Sequence, residues 1–160
     1  MIRKMEKEDL GAVLEIYRQG IETGTATFVT ECPTAEEWDA GHRPDGRLVF
    51  VLDGTIVGFT ALSPISQKEA YRGAAEVSIY IGEGYKRQGI GKKLLLALRE
   101  EAEKCGYWTL YSSVFSTNTA SLRLHETCGF RTIGYREKIA KDKFGIWQDA
   151  TLMEYRNAIR

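Results

Sequence analysis

The chain has 160 residues, with 22 basic and 22 acidic side chains and a formal net charge of zero. This length suits one compact domain, and zero net charge argues against nucleic acid as the main partner, because nucleic-acid-binding proteins usually carry a basic excess. No apolar run approaches the length of a membrane span, and Met1–Glu6 lacks the apolar core of a signal peptide. We therefore expect a cytoplasmic protein with a single domain over residues 1–160 that binds neither nucleic acid nor membrane.

The cysteines and histidines are few and scattered. Cys32, Cys105 and Cys128 form no CxxC pair and are odd in number, which favours free thiols. The two histidines, His42 and His125, offer little from which to build a zinc or copper site. The sequence therefore predicts that the protein holds no metal.

The N-terminal half alternates between helical and extended patterns. Acidic residues at 6–9 favour a helix start, and Thr34 is a suitable N-cap for a second helix. The pair Asp53-Gly54 is typical of a β-hairpin turn. The predicted elements, in order, are a strand at Ile2–Met5, a helix from Glu6 to about Ile21, a loop at Gly24–Glu31, a helix at Ala35–Ala40, paired strands at Leu48–Leu52 and Ile56–Leu62, and a loop at Ser63–Gly73.

The C-terminal half contains the central stretch of the chain, a strand followed by a Gly-rich basic turn and a long helix. The predicted elements are a strand at Glu76–Ile81, a helix opened by Lys86–Leu96 and running to Cys105, a strand at Trp108–Phe115, a helix at Ala120–Cys128, a strand at Phe130–Lys138, a turn at Lys141–Gly145 and a strand at Trp147–Tyr155. This order predicts a mixed α/β (α+β) domain whose mostly antiparallel sheet carries helices on both faces.

The turn before the long helix has the composition of an anion-binding site. A helix start presents unpaired N–H groups and a positive dipole end, which suit phosphate oxygens. Gly89 and Gly91 let a phosphate approach the backbone, and Lys86, Arg87 and Lys92 add positive charge. The spacing matches neither the dinucleotide-binding glycine pattern nor a P-loop. An ordinary strand-to-helix turn with solvated cations is the alternative interpretation.

Two separated segments resemble the GNAT N-acetyltransferases. Lys86–Gly91 resembles their acetyl-CoA pyrophosphate loop, with Lys86 where the family has Gln or Arg, and Asn118–Phe130 resembles their Asn-containing helix and the Gly-Phe that follows it. The resemblance implies the GNAT fold, with about seven strands and about four helices, and acetyl-CoA as the co-substrate. It implies cofactor-binding roles for Ile79, Tyr80, Ile81, Arg87, Gln88, Gly89, Ile90, Gly91, Lys92 and Asn118.

A closer resemblance covers nearly the whole chain and points to the phosphinothricin acetyltransferase subgroup. It is carried by Ile21–Thr23 with Thr27–Glu31, by Tyr71-Arg72 ahead of Glu76, by Leu124–Glu126 and by Lys143–Asp149. The subgroup acetylates the α-amino group of glutamate- or methionine-like L-amino acids, including phosphinothricin, methionine sulfoximine and methionine sulfone. The resemblance also implies a homodimer with Lys143–Asp149 near the interface or the pocket.

Acetyl transfer requires a base, because an α-amino group is mostly an ammonium ion at neutral pH. Glu76 opens the strand where the family places its base. Its ordinary pKa of ~4.3 is low for this task, so we expect a raised pKa or a relay through water. His125 occupies the position of a family Tyr that protonates the leaving thiolate, and a histidine can act as either acid or base. The sequence leaves open which of the two takes the amine proton.

An amino-acid acceptor also needs groups that hold its carboxylate and its side chain. Arg72 and Lys68 supply positive charge, although Lys68 is also a typical surface residue. Phe28, Tyr71 and Tyr80 supply shape and hydroxyl groups. Other acceptors, namely a protein N-terminus, a polyamine or an aminoglycoside, remain alternatives, and so does a CoA-binding module without turnover.

Overall fold

The computed structural model describes residues 1–157, and these contain seven strands and four α-helices. The strands are β1 (Ile2–Lys4), β2 (Leu48–Leu52), β3 (Thr55–Pro64), β4 (Ala74–Ile81), β5 (Thr109–Phe115), β6 (Arg131–Lys141) and β7 (Trp147–Arg156). The helices are α1 (Leu10–Thr23), α2 (Ala35–Gly41), α3 (Ile90–Lys104) and α4 (Thr119–Thr127). Short 3₁₀ turns precede α1 and β4, at Lys7–Asp9 and Glu69–Tyr71.

All seven strands form one sheet in the order β1-β2-β3-β4-β5-β7-β6. Only β4 and β5 pair in parallel, and every other neighbouring pair is antiparallel. The long crossover through α3 makes this parallel pairing possible. The predicted mixed, mostly antiparallel sheet of seven strands with four helices is therefore confirmed.

Two apolar cores lie on opposite faces of the sheet. Helices α1 and α2 cover one face, where the buried side chains are Val13, Ile16, Trp38, Val49, Phe59 and Ala61. Helices α3 and α4 cover the other face, whose buried side chains include Val57, Leu62, Val77, Leu94, Leu95, Leu98 and Met153. Side chains that alternate along β4 therefore point to different cores.

The sheet opens at its centre, where β4 and β5 part. The two strands pair only from Ala74–Thr109 to Glu76–Tyr111. Beyond Glu76, β4 continues to Ile81 and β5 continues to Phe115 without a further pair between them. A gap therefore begins at Glu76 and widens toward the turn that leads into α3.

Two predicted boundaries were wrong for reasons of backbone geometry. The helix that the sequence opens in Lys86–Leu96 begins at Ile90, because Arg87 and Gly89 have φ values of +63° and +79°, which no α-helix contains. The strand predicted to end at Lys138 continues to Lys141 across a bulge, where Lys138 has a φ of +45° and donates its N–H to Asp149 (2.7 Å).

The helix cap and the cysteines of residues 1–157 agree with the sequence predictions. The predicted N-cap Thr34 accepts a hydrogen bond from the N–H of Glu37 at 3.2 Å. The three cysteines are free, as predicted, with Cys128 buried and the other two exposed. Within residues 1–157, no helix is long and apolar enough to cross a membrane.

Candidate active site

Glu76 lies at the point where β4 and β5 part. Its side chain is half-buried, and burial raises the pKa of its carboxyl group above the ordinary value. Within residues 1–157 the carboxylate has no hydrogen-bond partner. Because Ser63 of β3 and Tyr111 of β5 pair directly with Glu76, the three side chains stand in one row on one face of the sheet.

This row belongs to the face that α1 covers. Ala75 and Val77, the neighbours of Glu76 along the chain, pack into the core under α3, so Glu76 points to the opposite side. Ser78 and Tyr80 follow Glu76 on the same face, and Tyr80 packs against the α1 core. Polar side chains therefore follow one another along β4 on the face that α1 covers.

The backbone of β4 offers free polar groups to the gap. Gly82 donates its N–H to the carbonyl of Val57 at 2.8 Å, which fixes the alternation of the β3–β4 ladder. By that alternation Tyr80 directs its N–H and C=O toward β3, whereas Ile79 and Ile81 direct theirs toward the gap that β5 has left. An extended amide-containing arm in the gap would thus pair with Ile79 and Ile81 rather than with the backbone of Tyr80.

At the wide end of the gap, the start of α3 presents free N–H groups. Lys93 makes the first intrahelical bond, to the carbonyl of Gly89 at 3.2 Å. The N–H groups of Ile90, Gly91 and Lys92 consequently have no partner within the helix. Gly89 has a φ of +79°, a conformation that glycine adopts without strain. The helix dipole and the three N–H groups together make an anion site.

Side chains of the turn shape this anion site. Gln88 donates from Nε2 to the carbonyl of Gly84 at 3.2 Å and closes the turn. Lys86 pairs with Glu83 at 2.8 Å, so part of its charge is neutralised. Arg87 and Lys92 are exposed and make no ion pair within residues 1–157, which leaves both cations available to a phosphate.

Gly91 also has a packing role. A Cβ at this position would lie 3.2 Å from Cδ2 of Leu124, so the missing side chain brings α4 against the start of α3. Asn118 caps α4 by accepting the N–H of Ser121 on Oδ1 at 3.1 Å. Its amide NH₂ group makes no hydrogen bond within residues 1–157 and is available to a ligand.

His125 lies on α4 and is buried, with 2 % of its surface exposed. Its Nδ1 is 2.7 Å from the carbonyl oxygen of Ser121, and because a carbonyl only accepts, Nδ1 must carry the proton. The other ring nitrogen, Nε2, is buried without a hydrogen-bond partner. Burial lowers the pKa of His125, and the bond to Ser121 only partly opposes this. The imidazole is therefore neutral near pH 7, with a free acceptor nitrogen.

Glu76 and His125 do not contact each other. Glu76 points to the α1 face, whereas α4 covers the opposite face, so the sheet lies between the two side chains. The His125 ring packs edge-on against Phe130, with ring centroids 5.0 Å apart.

The loop after α1 forms a wall beside the polar row. Phe28 packs against Phe115 of β5, with ring centroids 4.4 Å apart. Tyr80 contacts Tyr17 at 5.0 Å between centroids, and the hydroxyls of both tyrosines face Thr27 of the same loop. The loop is thereby tied to both β4 and β5 on the face that Glu76 occupies.

Positive side chains gather in a cleft beside Ser63. The cleft lies between the end of α2 and the loop before β4, and its lining residues include His42, Arg43, Ser63, Lys68 and Arg72. Ser63 joins it to the row that contains Glu76.

The partners of the predicted acceptor residues differ. The guanidinium of Arg72 lies 5.4 Å from the ring centre of Trp108 and 3.7 Å from the carboxylate of Glu69. Lys68 is exposed, and Tyr71 is 47 % exposed and does not line the cleft. The cleft therefore has two of the predicted acceptor residues, and Tyr71 is apart from them.

The turn between β6 and β7 contacts the loop after α1. Asp142 accepts the N–H groups of Phe144 and Ile146 at 2.9 and 3.0 Å, which fixes the turn. Phe144 packs over Gly24, where a Cβ would lie 2.5 Å from Cε2 of the ring. The two segments therefore close one end of the polar face together.

The sequence matches one family of known proteins over most of its length. Residues 12–130 match the model of the acetyltransferase (GNAT) family. The chain belongs to the GNAT acetyltransferase family. Two relatives of this GNAT enzyme are phosphinothricin N-acetyltransferase from Alcaligenes faecalis, 35% identical over 96% of this chain and 80% of the relative, and L-methionine sulfoximine/L-methionine sulfone acetyltransferase from Salmonella typhimurium, 28% identical over 96% and 92%.

A solved structure supports the fold assignment. The acetyltransferase yncA from Salmonella typhimurium, determined with its cofactor acetyl-CoA, superposes with a TM-score of 0.91 at 27% identity, covering 100% of this chain and 95% of that one. The GNAT fold predicted from the two motifs is thus confirmed, and the chain is an N-acetyltransferase.

Three residues that the structure brings to this candidate site were not among the residues predicted from the sequence of this GNAT enzyme. Ser63 and Tyr111 flank Glu76, and Thr27 faces two tyrosines. The strand prediction at Trp108–Phe115 contained the alternation that puts Tyr111 and Phe115 on one face. No sequence signal gave the register of β5 against β4, and that register alone identifies Tyr111 as the neighbour of Glu76.

Proposed function

We propose that the protein transfers the acetyl group of acetyl-CoA directly to the α-amino group of a small L-amino acid such as phosphinothricin, methionine sulfoximine or methionine sulfone. Residues 1–160 would act as one acetyltransferase domain. The observation that carries the proposal is the position of Glu76, a half-buried carboxylate without a partner at the end of a gap that leads from the free N–H groups of α3.

The residues present fit acetyl-CoA. The pyrophosphate matches the N–H groups of Ile90, Gly91 and Lys92 with the cations of Arg87 and Lys92. The pantetheine arm carries amides that match the free backbone groups of Ile79 and Ile81 and the amide of Asn118. Bound there, acetyl-CoA supplies the thioester, and the strand N–H groups are suited to the oxyanion that develops on its carbonyl.

Glu76 is suited to take the proton of the acceptor ammonium. A raised pKa improves a carboxylate as a base, since a base is most effective when its pKa lies near the working pH. His125 is neutral with Nε2 free, and it lies on α4, which covers the other face of the sheet. We propose that Glu76 takes the first proton from the acceptor ammonium. We propose further that Nε2 of His125 takes the second proton, which the nitrogen loses as the amide bond forms, and passes it to the CoA sulfur as the C–S bond breaks.

The acceptor class follows from charge. The cleft beside Ser63 is lined by the cations Arg43, Lys68 and Arg72 and by one carboxylate, Glu69. This excess of positive charge matches an anionic or strongly polar acceptor side chain and disfavours a polycation. Phe28 would bound the acceptor on the β5 side, Tyr80 on the α1 side, and Tyr71 would approach only at the rim. The names of the relatives agree with this class.

We also propose that the protein acts as a homodimer in the cytoplasm, where acetyl-CoA is available. Exposed large apolar side chains lie close together on β6 and the β6–β7 turn, which is unusual for a surface that stays in water. They are Ile133, Tyr135, Ile139, Phe144, Ile146 and Trp147. Sedimentation of the purified protein tests the dimer.

The function is tested by the release of CoA thiol from acetyl-CoA with a panel of amines. The panel holds L-phosphinothricin, L-methionine sulfoximine, L-methionine sulfone, spermidine, kanamycin and a short peptide. We expect release with the three amino acids. Release with another acceptor only would contradict the proposed substrate class, and acetyl-CoA binding without any release would favour a binding module.

A further inference from the structure

Tyr111 stands directly beside Glu76, on the face that the acceptor occupies in the proposed function. The two residues are partners in the parallel register of β4 and β5, so their side chains project in the same direction from strands about 4.8 Å apart. Further along the same face of β5, Phe115 packs against Phe28 of the acceptor wall. Tyr111 therefore lies on the surface of the sheet between Glu76, the proposed base, and the loop after α1 that holds Phe28.

The hydroxyl of Tyr111 is free although the residue is half-buried. Within residues 1–157 it has no hydrogen-bond partner. By contrast, Tyr107 donates to Asp45 at 3.2 Å, Tyr135 donates to Asp149 at 2.6 Å, and Tyr155 accepts from Arg99 at 2.8 Å. These three hydroxyls are used by protein groups, whereas the hydroxyl of Tyr111 stays available to a ligand beside Glu76, the proposed base.

The protein neighbours of Tyr111 do not use this hydroxyl. Glu76 lies on one side and Glu154 of β7 on the other. Glu154 is held by Arg131 at 3.0 Å, and neither carboxylate accepts a bond from the phenol. The hydroxyl of Tyr111 therefore remains available as a donor to a ligand on this face of the sheet.

The reach of the side chain suits an α-amino acid. A tyrosine side chain is longer than a glutamate side chain. The hydroxyl of Tyr111 can therefore reach the height above the sheet at which a ligand contacts the carboxylate of Glu76. In an α-amino acid the carboxylate and the amine are attached to the same carbon. When the amine meets Glu76, the carboxylate consequently lies within reach of a donor one strand away.

We propose that Tyr111 is an acceptor-binding residue whose hydroxyl donates a hydrogen bond to the α-carboxylate of the amino acid. It thereby selects α-amino acids over amines that lack this group and leaves the cations of the neighbouring cleft to the distal part of the acceptor. The inference rests on the proposed function and adds a specificity determinant to the same site.

The test compares two acceptors and two enzymes. The acceptors are L-methionine sulfone and the matching amine in which hydrogen replaces the carboxylate, and the enzymes are the wild type and Tyr111→Phe. We expect the variant to lose about tenfold or more in kcat/KM for the amino acid, chiefly through KM, since a hydrogen bond to a charged group is lost. For the amine we expect an unchanged kcat/KM.

Tyr155→Phe is the matched control, because it removes a hydroxyl that accepts from Arg99 on the face that α3 covers. It should leave both acceptors unaffected. An equal loss on both acceptors in Tyr111→Phe, or no loss on either, would overturn the role of Tyr111 while leaving the proposed function intact. A wild type that acetylates neither acceptor would overturn the proposed function and this inference with it.

Discussion

The turn that leads into α3 and the polar face around Glu76 lie at the two ends of the same gap, yet they are built from different parts of the chain. The turn offers backbone N–H groups from three consecutive residues, Ile90, Gly91 and Lys92. The face offers side chains of Ser63, Glu76 and Tyr111, which come from three strands. One end thus depends on local conformation and the other on strand register.

Because of this difference, we expect substitutions to have different effects at the two ends of the gap. A backbone cradle binds any ligand with the right phosphate geometry and accepts side-chain changes that keep its φ and ψ angles. A site made of side chains changes its ligand when one hydroxyl or one charge is replaced. We therefore expect variants at the turn to alter cofactor affinity and variants at the face to alter turnover and acceptor choice.

The largest effect is expected from Glu76→Gln. Removing a general base typically lowers the rate by about 100-fold or more, so kcat should fall by that amount with the best acceptor of the panel. The dissociation constant of acetyl-CoA, measured by calorimetry, should stay within about twofold, because Glu76 lies outside the α3 turn.

Replacement of Gly89 should weaken acetyl-CoA binding at the turn that leads into α3. Gly89→Ala places a side chain at a φ of +79°, which costs about 1–2 kcal/mol, and the dissociation constant of acetyl-CoA should rise about tenfold. Gly106→Ala is the matched control, since Gly106 follows the far end of α3 with a φ of +90° and has equally open space. If both variants weakened cofactor binding equally, the cradle would not be the cause.

A smaller effect is expected from the cations of the cleft. The double variant Lys68→Ala/Arg72→Ala should raise KM for phosphinothricin about fivefold, because exposed ion pairs contribute only about 1 kcal/mol. The same KM should rise with salt in the wild type and less so in the variant. Arg18→Ala, which removes an exposed arginine of α1, should change neither quantity. A loss of acetyl-CoA affinity in the double variant would contradict the separation of the two ends.

The smallest effect concerns stability. Because burial raises the pKa of Glu76, the folded state binds its proton more tightly than the unfolded state does, and the ionised carboxylate destabilises the fold as pH rises above about 4.3. Thermal melts should therefore show Glu76→Gln modestly more stable than the wild type at pH 8, with no advantage at pH 4. An advantage that is greater at pH 4 would have the wrong sign.

The contrast also explains what the sequence could predict. Gly89, Gly91 and the helix after them form one continuous pattern, so the cradle was predictable, although Arg87 at positive φ delayed the helix start to Ile90. The strand Leu48–Leu52 was predicted with the bounds it has, since an apolar run and a hairpin turn are local signals.

The acceptor face was less predictable. Glu76 was predicted as the base only through its motif context, and that remains a prediction. Its pairing with Tyr111 could not be predicted, because a parallel register across α3 leaves no local signal. Tyr71 was grouped with Arg72 from adjacency in sequence, whereas in the 3₁₀ turn it is exposed and does not line the cleft.

The central claim is that the acceptor amine attacks the thioester directly while acetyl-CoA lies in the gap and the acceptor lies on the face that carries Glu76. Initial velocities with acetyl-CoA and L-methionine sulfone both varied test it most directly, together with a mass spectrum of the enzyme after incubation with acetyl-CoA alone. We predict reciprocal plots that intersect and an enzyme of unchanged mass. Parallel plots and an enzyme that has gained an acetyl group, for example on Cys128 or His125, would contradict the account.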